Sequence, residues 1–145
     1  MQRKPLKIFI DENMATQLAR ALNVIQEHLN TEEKKAIEVI SLKEAFNEGI
    51  LDEEWIPLIG KQNGIVITQD RKIQTTRHQR ELYIQNGVGI IFLKSPKTGM
   101  TFWQMFKHLV YWWDDIKTIV RKNTPPFSFR QPGQNQKFVE WHGEE

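Results

Sequence analysis

Cysteine is absent from this chain of 145 residues. That absence removes disulfides, thiolate nucleophiles and cysteine-ligated zinc together. The four histidines, His28, His78, His108 and His142, are scattered along the chain, so a histidine zinc triad is not expected either. No apolar run approaches the roughly 18 residues that a membrane-spanning helix requires. Met1-Gln2-Arg3-Lys4-Pro5 leads straight into a strand pattern, with no signal-type apolar stretch behind it. The expectation is a cytoplasmic protein with no membrane partner. An excess of one charge is also lacking: 20 Lys and Arg face 18 Asp and Glu, a formal net charge of +2. Any argument for a polyanionic partner must therefore come from where the charges sit.

What is present is enough apolar residue for one domain with a real core, 39% of the chain. Short apolar runs alternate with helical periodicity, the pattern of a parallel sheet covered by helices. Lys7 to Ile10 reads as a first strand. Met14, Leu18, Leu22, Ile25 and Leu29 follow at helical spacing, with Asn13 placed to cap them. Asn30 to Lys35 is a polar connection, and Glu38 to Leu42 a second strand. Asp52 opens a helix carrying Trp55, Ile56, Leu58 and Ile59, with Pro57 near the tolerated first turn. A strand over Gly64–Gln69, a helix over Lys72–Gln85 and a strand over Val88–Leu93 complete the alternation. A long amphipathic helix is expected over Thr101–Arg121. Two regions result: an α/β domain over residues 1–122, and an extended Pro- and Gln-rich tail over 123–145 that can dock through its aromatics. The predicted fold class is a three-layer α/β/α arrangement around a mostly parallel sheet of four to five strands.

Two aspartates stand at the ends of apolar runs: Asp11 after Ile8-Phe9-Ile10, and Asp70 after Ile65-Val66-Ile67-Thr68-Gln69. In an open α/β sheet, side chains just past the carboxyl ends of the strands line the ligand crevice. Glu12 adds a second carboxylate to the first strand end, and Asp52-Glu53-Glu54 opens the helix that feeds the second run. One reading of each acid is helix capping, worth about 0.3–1 kcal/mol near a helix amino terminus. That reading suits Glu12 and Glu53 best, and Asp11 and Asp70 least, since these come directly off strands. The other reading is joint: converging carboxylates need a proton or a hard cation to coexist. Mg²⁺ or Mn²⁺ suits such oxygen ligands, and such an ion suits phosphate chemistry.

On the helix after Asp70, Ile73, Arg77, Arg80 and Ile84 share one stripe. Their guanidinium groups either reach water from the core rim, or turn with Arg71 toward the acidic crevice to hold a phosphate. The aromatic helix reads mainly as core. Trp112 and Trp113 are adjacent and cannot both point one way, so the alternative to core for one of them is partial exposure at a partner contact.

Three pieces, Phe9-Ile10-Asp11-Glu12-Asn13, Asp52-Glu53-Glu54-Trp55 and Val66-Ile67-Thr68-Gln69-Asp70-Arg71, resemble the motifs of PIN-like domains, the metal-dependent ribonuclease fold of VapC-type toxins. With the strand and helix order, the resemblance covers roughly residues 7–94. It implies that Asp11, Asp52 and Asp70 are metal-binding acids of an endoribonuclease; on that reading Arg71, Arg77 or Arg80 steadies the RNA backbone. It also implies an antitoxin partner and a homodimer. The family commonly carries a further glutamate between the first two acids; Glu44 is the stand-in here, with Glu12 behind it. Two other functional classes stay open. One is a catalytically inactive PIN-like module that binds RNA or protein. The other is a receiver-like phosphoacceptor domain, echoed by Asp11-Glu12, Asp70 and Lys94-Ser95-Pro96.

Overall fold

The computed structural model describes residues 4–11, 14–46, 50–69 and 73–142, with residues 73–77 through their backbone. In chain order the elements are β1 (Leu6–Ile10), α1 (Thr16–Leu29), β2 (Ile37–Ser41), α2 (Leu42–Ala45), α3 (Asp52–Gly60), β3 (Ile65–Thr68), α4 (Ile73–Gln85), β4 (Gly89–Phe92), α5 (Phe102–Lys122), β5 (Phe127–Arg130) and β6 (Val139–Glu140). The strands form one sheet in the order β2-β1-β3-β4-β5-β6. Pairings from β2 through β5 are parallel, and β6 closes the far edge antiparallel.

The central strands are apolar throughout because both of their faces are covered. Every residue of β3 and of β4 is buried. Side chains alternate between two cores, as strand geometry requires. Ile8, Ile10, Ile65, Ile67 and Ile91 pack under α1 and α5, while Phe9, Val66, Ile90 and Phe92 pack under α3 and α4. The result is the expected three-layer α/β/α architecture.

The helix boundaries follow local chemistry. Thr101 and Gln104 form a reciprocal capping box that starts α5. The residue before α1 is Ala15, which has no side-chain cap; Asn13 lies outside the described residues. Gly60 ends α3 where a Cβ would drive into the carbonyl oxygen of Asn86, so only glycine permits this approach of α3 to the end of α4.

α5 is the crossover that carries the chain from β4 to β5. Residues 127–130 and 139–140 therefore extend the sheet to six strands among the described residues, beyond the four to five expected. The tail lies over the flank of α5, and the alternative of a partly exposed tryptophan does not hold. Trp112 and Trp113 are both buried, at 6% and 4% exposure. Trp112 donates its indole N–H to the Gln134 carbonyl at 3.2 Å and meets the ring of Phe138 edge-on. Trp113 donates to Gln26 Oε1 on α1 at 2.9 Å. Two adjacent tryptophans can both be buried because each faces a different neighbour.

Candidate functional site

β1 stands between β2 and β3. The chain leaves it to one side through α1 and returns on the other through α3, so the carboxyl ends of β1 and β3 meet at a topological switch point. In sheets of this kind the ligand crevice opens there. The register aligns Ile10 with Ile67, and the ladder continues one step as Asp11 N–H donates to the Ile67 carbonyl at 3.0 Å. Asp11 thus leaves the sheet beside Thr68. The Thr68 hydroxyl, buried at 2% exposure, donates a hydrogen bond to Asp11 Oδ2. Thr68 is a positioning residue that the acid pattern does not reveal. Its signal in the sequence is its place two residues before Asp70, at the end of a buried apolar run.

Asp52 is the first residue of α3 and is half-buried; its Oδ1 accepts the indole N–H of Trp55 at 3.0 Å. Trp55 in turn packs between Phe46 and Tyr83, which ties Asp52 into the α3–α4 layer. Glu53 is exposed in the same first turn, where its charge complements the helix dipole. Glu44 forms a two-bond pair with Arg20 of α1, at 3.0 Å from Nε and 2.6 Å from Nη2. The guanidinium lowers the Glu44 carboxyl below its ordinary range. Arg80 donates to the Trp141 carbonyl at 3.1 Å and lies 5.5 Å from the centre of the Trp141 ring, so it holds Trp141 against α4. Glu12, Asp70, Arg71 and the side chain of Arg77 lie outside the described residues.

The donor that β1 brings to the edge is a carboxylate, a hard oxygen ligand of the kind Mg²⁺ and Mn²⁺ take. Among the described residues no three His, Cys, Asp or Glu side chains come together as a metal-holding group. At the same carboxyl edge lies an open cleft of about 540 Å³, bounded by Gln69, Ser95, Thr98, Met100, Gln104 and Met105. Among the described residues no helix is long and apolar enough to cross a membrane.

An open, doubly wound parallel α/β domain with an aspartate at its switch point defines the class. The chain belongs to the PIN-like domain family: the family model described as "PIN like domain" matches residues 6–95, from β1 to just past β4. α5, β5 and β6 lie beyond the matched segment. No curated protein and no solved structure matches the chain.

Proposed function

We propose that this chain is a Mg²⁺- or Mn²⁺-dependent endoribonuclease. The observation that carries the reading is the adjacency of the β1 and β3 exits, with Asp11 fixed by Thr68 on one strand end and Asp70 two residues past the other. Membership of the PIN-like family, whose members are often nucleases, supports it. Asp11, Asp52 and Asp70 are assigned to the ion, with Glu12 and Glu53 as neighbouring acids. When bound, the ion supplies a water of lowered pKa and neutralises charge that builds on the phosphodiester. Arg71 and Arg77 are assigned to the RNA backbone, as bidentate phosphate donors. The same proposal includes an antitoxin-type protein that covers the acidic edge, as in VapC-type pairs, and a homodimer.

A second reading is a PIN-like module that binds RNA without cleaving it. It draws on Glu44, the stand-in for a central glutamate, being engaged by Arg20. The two part on one experiment. The nuclease reading predicts cleavage of a labelled single-stranded oligoribonucleotide that needs Mg²⁺ or Mn²⁺, stops in EDTA, and is lost in Asp11→Asn and in Asp70→Asn. Metal-dependent cleavage that survives in both single variants contradicts the assignment of these acids. No cleavage by the unaltered chain with either metal favours the binding module.

A further inference from the structure

The sequence separates its charges in a way its net charge conceals. No aspartate or glutamate falls between Glu81 and Asp114, and Lys94, Lys97 and Lys107 lie within that stretch. The fold brings this acid-free segment to the carboxyl edge of the sheet, as the loop after β4 and the first turns of α5. There it forms most of the wall of the open cleft, which Gln69 completes from the end of β3. Gln69 directly follows Thr68, the residue that holds Asp11, and directly precedes Asp70. The cleft thus adjoins Asp70 in sequence and Asp11 through Thr68.

The lining of the cleft is neutral among the described residues: amides, hydroxyls and two thioethers. Such a surface does not hold a phosphate by charge. It does suit a nucleobase, whose faces are apolar and whose edges carry mixed donors and acceptors. The volume falls within the range of small-ligand pockets. Gln69 donates its amide N–H to the sulfur of Met100 at 3.7 Å. A thioether is a weak acceptor, so a base carbonyl would exchange for it with no strong bond lost. The Oε1 of Gln104 accepts from the Thr101 N–H, which fixes this amide at the rim of the cleft.

Outside the cleft, α5 presents aromatic rings to water. Trp103 is 62% exposed and Phe102 47% exposed, and Trp103 stacks on Phe106 with ring centres 5.9 Å apart. Lys107 is exposed one turn beyond Trp103, and Lys94 and Lys97 are exposed on the loop. Exposed rings among lysines, beside a neutral polar cleft, match the needs of an unpaired polynucleotide. Rings stack the bases, and ammonium groups follow the phosphates. A duplex hides its base faces and cannot use either the rings or the cleft.

We propose that the cleft and the first turns of α5 form a binding track for single-stranded RNA, with one base seated against Gln69 and its neighbours stacked on Trp103. The proposal rests on the nuclease reading for its substrate class, but it is tested by binding without cleavage. Fluorescence anisotropy of the intact chain in EDTA, with a labelled ten-nucleotide RNA and with the same RNA annealed to its complement, reads it. The single strand is expected to bind more tightly than the duplex. Trp103→Ala is expected to weaken single-strand binding about fivefold or more, the range of one lost base–aromatic stack. Lys107→Glu is expected to weaken binding and to flatten its salt dependence.

Unchanged single-strand affinity in both Trp103→Ala and Lys107→Glu overturns the track. Sedimentation of the same variants supplies a second arm. If Trp103→Ala dissociates an oligomer and leaves RNA affinity untouched, the face is a protein contact and the proposal is wrong. Cleavage measured separately keeps the two readings apart. A chain that cleaves RNA with unaltered binding in both variants retains its nuclease assignment and loses the track. A chain that loses binding in both variants and never cleaves retains the track and loses the nuclease assignment.

Discussion

Asp11 shows how one side chain on a rigid strand end can be set for a task by a neighbour. Its carboxylate takes a hydrogen bond from Thr68, and Thr68 is buried in the sheet, so the acid has little freedom to swing. Partners of this kind behind a metal-binding acid typically change affinity or activity by about 10–100-fold when removed. Thr68→Val keeps the shape of the side chain and deletes the donor. We expect it to fold, to retain its near-ultraviolet circular dichroism, and to lose about tenfold or more of its metal-dependent cleavage, with Thr68→Ser close to the unaltered chain. Equal cleavage by the valine variant would remove Thr68 from the site. Residues of this type are hard to see in a sequence. The two strand-end aspartates stand out because an acid rarely follows a buried apolar run without reason. Thr68 does not stand out, since threonine is an ordinary strand residue. The pairing of Glu44 with Arg20 and of Arg80 with Trp141 is equally hidden, because each joins positions far apart in the chain.

Among the elements, β2 is an edge strand whose open backbone is covered by α1. Asn30 accepts from the Ile37 N–H at 3.0 Å and donates to its carbonyl at 2.9 Å. Asn23 accepts from the Val39 N–H at 2.8 Å. These two amides occupy the place of a missing strand, which protects an edge that would otherwise recruit another chain. Asn30→Leu strands both backbone groups of Ile37, at about 1–3 kcal/mol for each group left unsatisfied. The expected outcome is a lower melting temperature with earlier onset of light scattering on heating; an unchanged melt would contradict the edge role.

A second tie joins the loop after α1 to α5. Glu33 receives Lys117 at 2.6 Å and Arg121 at 2.7 Å, and Gln26 at 3.1 Å. Burial pushes the Glu33 carboxyl up, but the hydrogen bonds from Lys117, Arg121 and Gln26 outweigh it and hold the pKa at about 2. The folded value lies below the unfolded one of 4.5, so the unfolded chain binds the extra proton as pH falls. The stabilisation is complete above about 4.5 and is lost as pH drops toward about 2. Urea denaturation across that window should show stability falling with acidification, with a shallower fall in Glu33→Gln. An identical slope in the variant would show that the carboxylate contributes nothing.

Viewed as a whole molecule, the alternation of strands and helices through β4 was legible because each element buries a continuous run or a periodic stripe of its own. β5 and β6 were less so. Phe127-Ser128-Phe129-Arg130 is four residues long and mixes ring, hydroxyl and charge, and it becomes a strand because the edge of β4 is there to pair with. The burial of Trp112 depended on the same tertiary event, since Gln134 and Phe138 of the tail close over it, while Trp113 is buried against Gln26 of α1. Local pattern carries no information about a partner more than twenty residues away. The exit of Asp11 from β1 beside β3 was legible, while the neutral cleft at that edge was not, since its lining comes from the end of β3, the loop after β4 and the start of α5.

On the proposed assignment Asp11 and Asp70 capture a hard divalent ion, and uptake of Mn²⁺ reads that capture without any substrate. Mn²⁺ is titrated into the intact chain and the free ion is followed by electron paramagnetic resonance, beside Asp11→Asn and Asp70→Asn. A saturable site is expected in the unaltered chain, with an affinity that falls about tenfold or more in each variant. No saturable uptake, or uptake that neither substitution weakens, would contradict it.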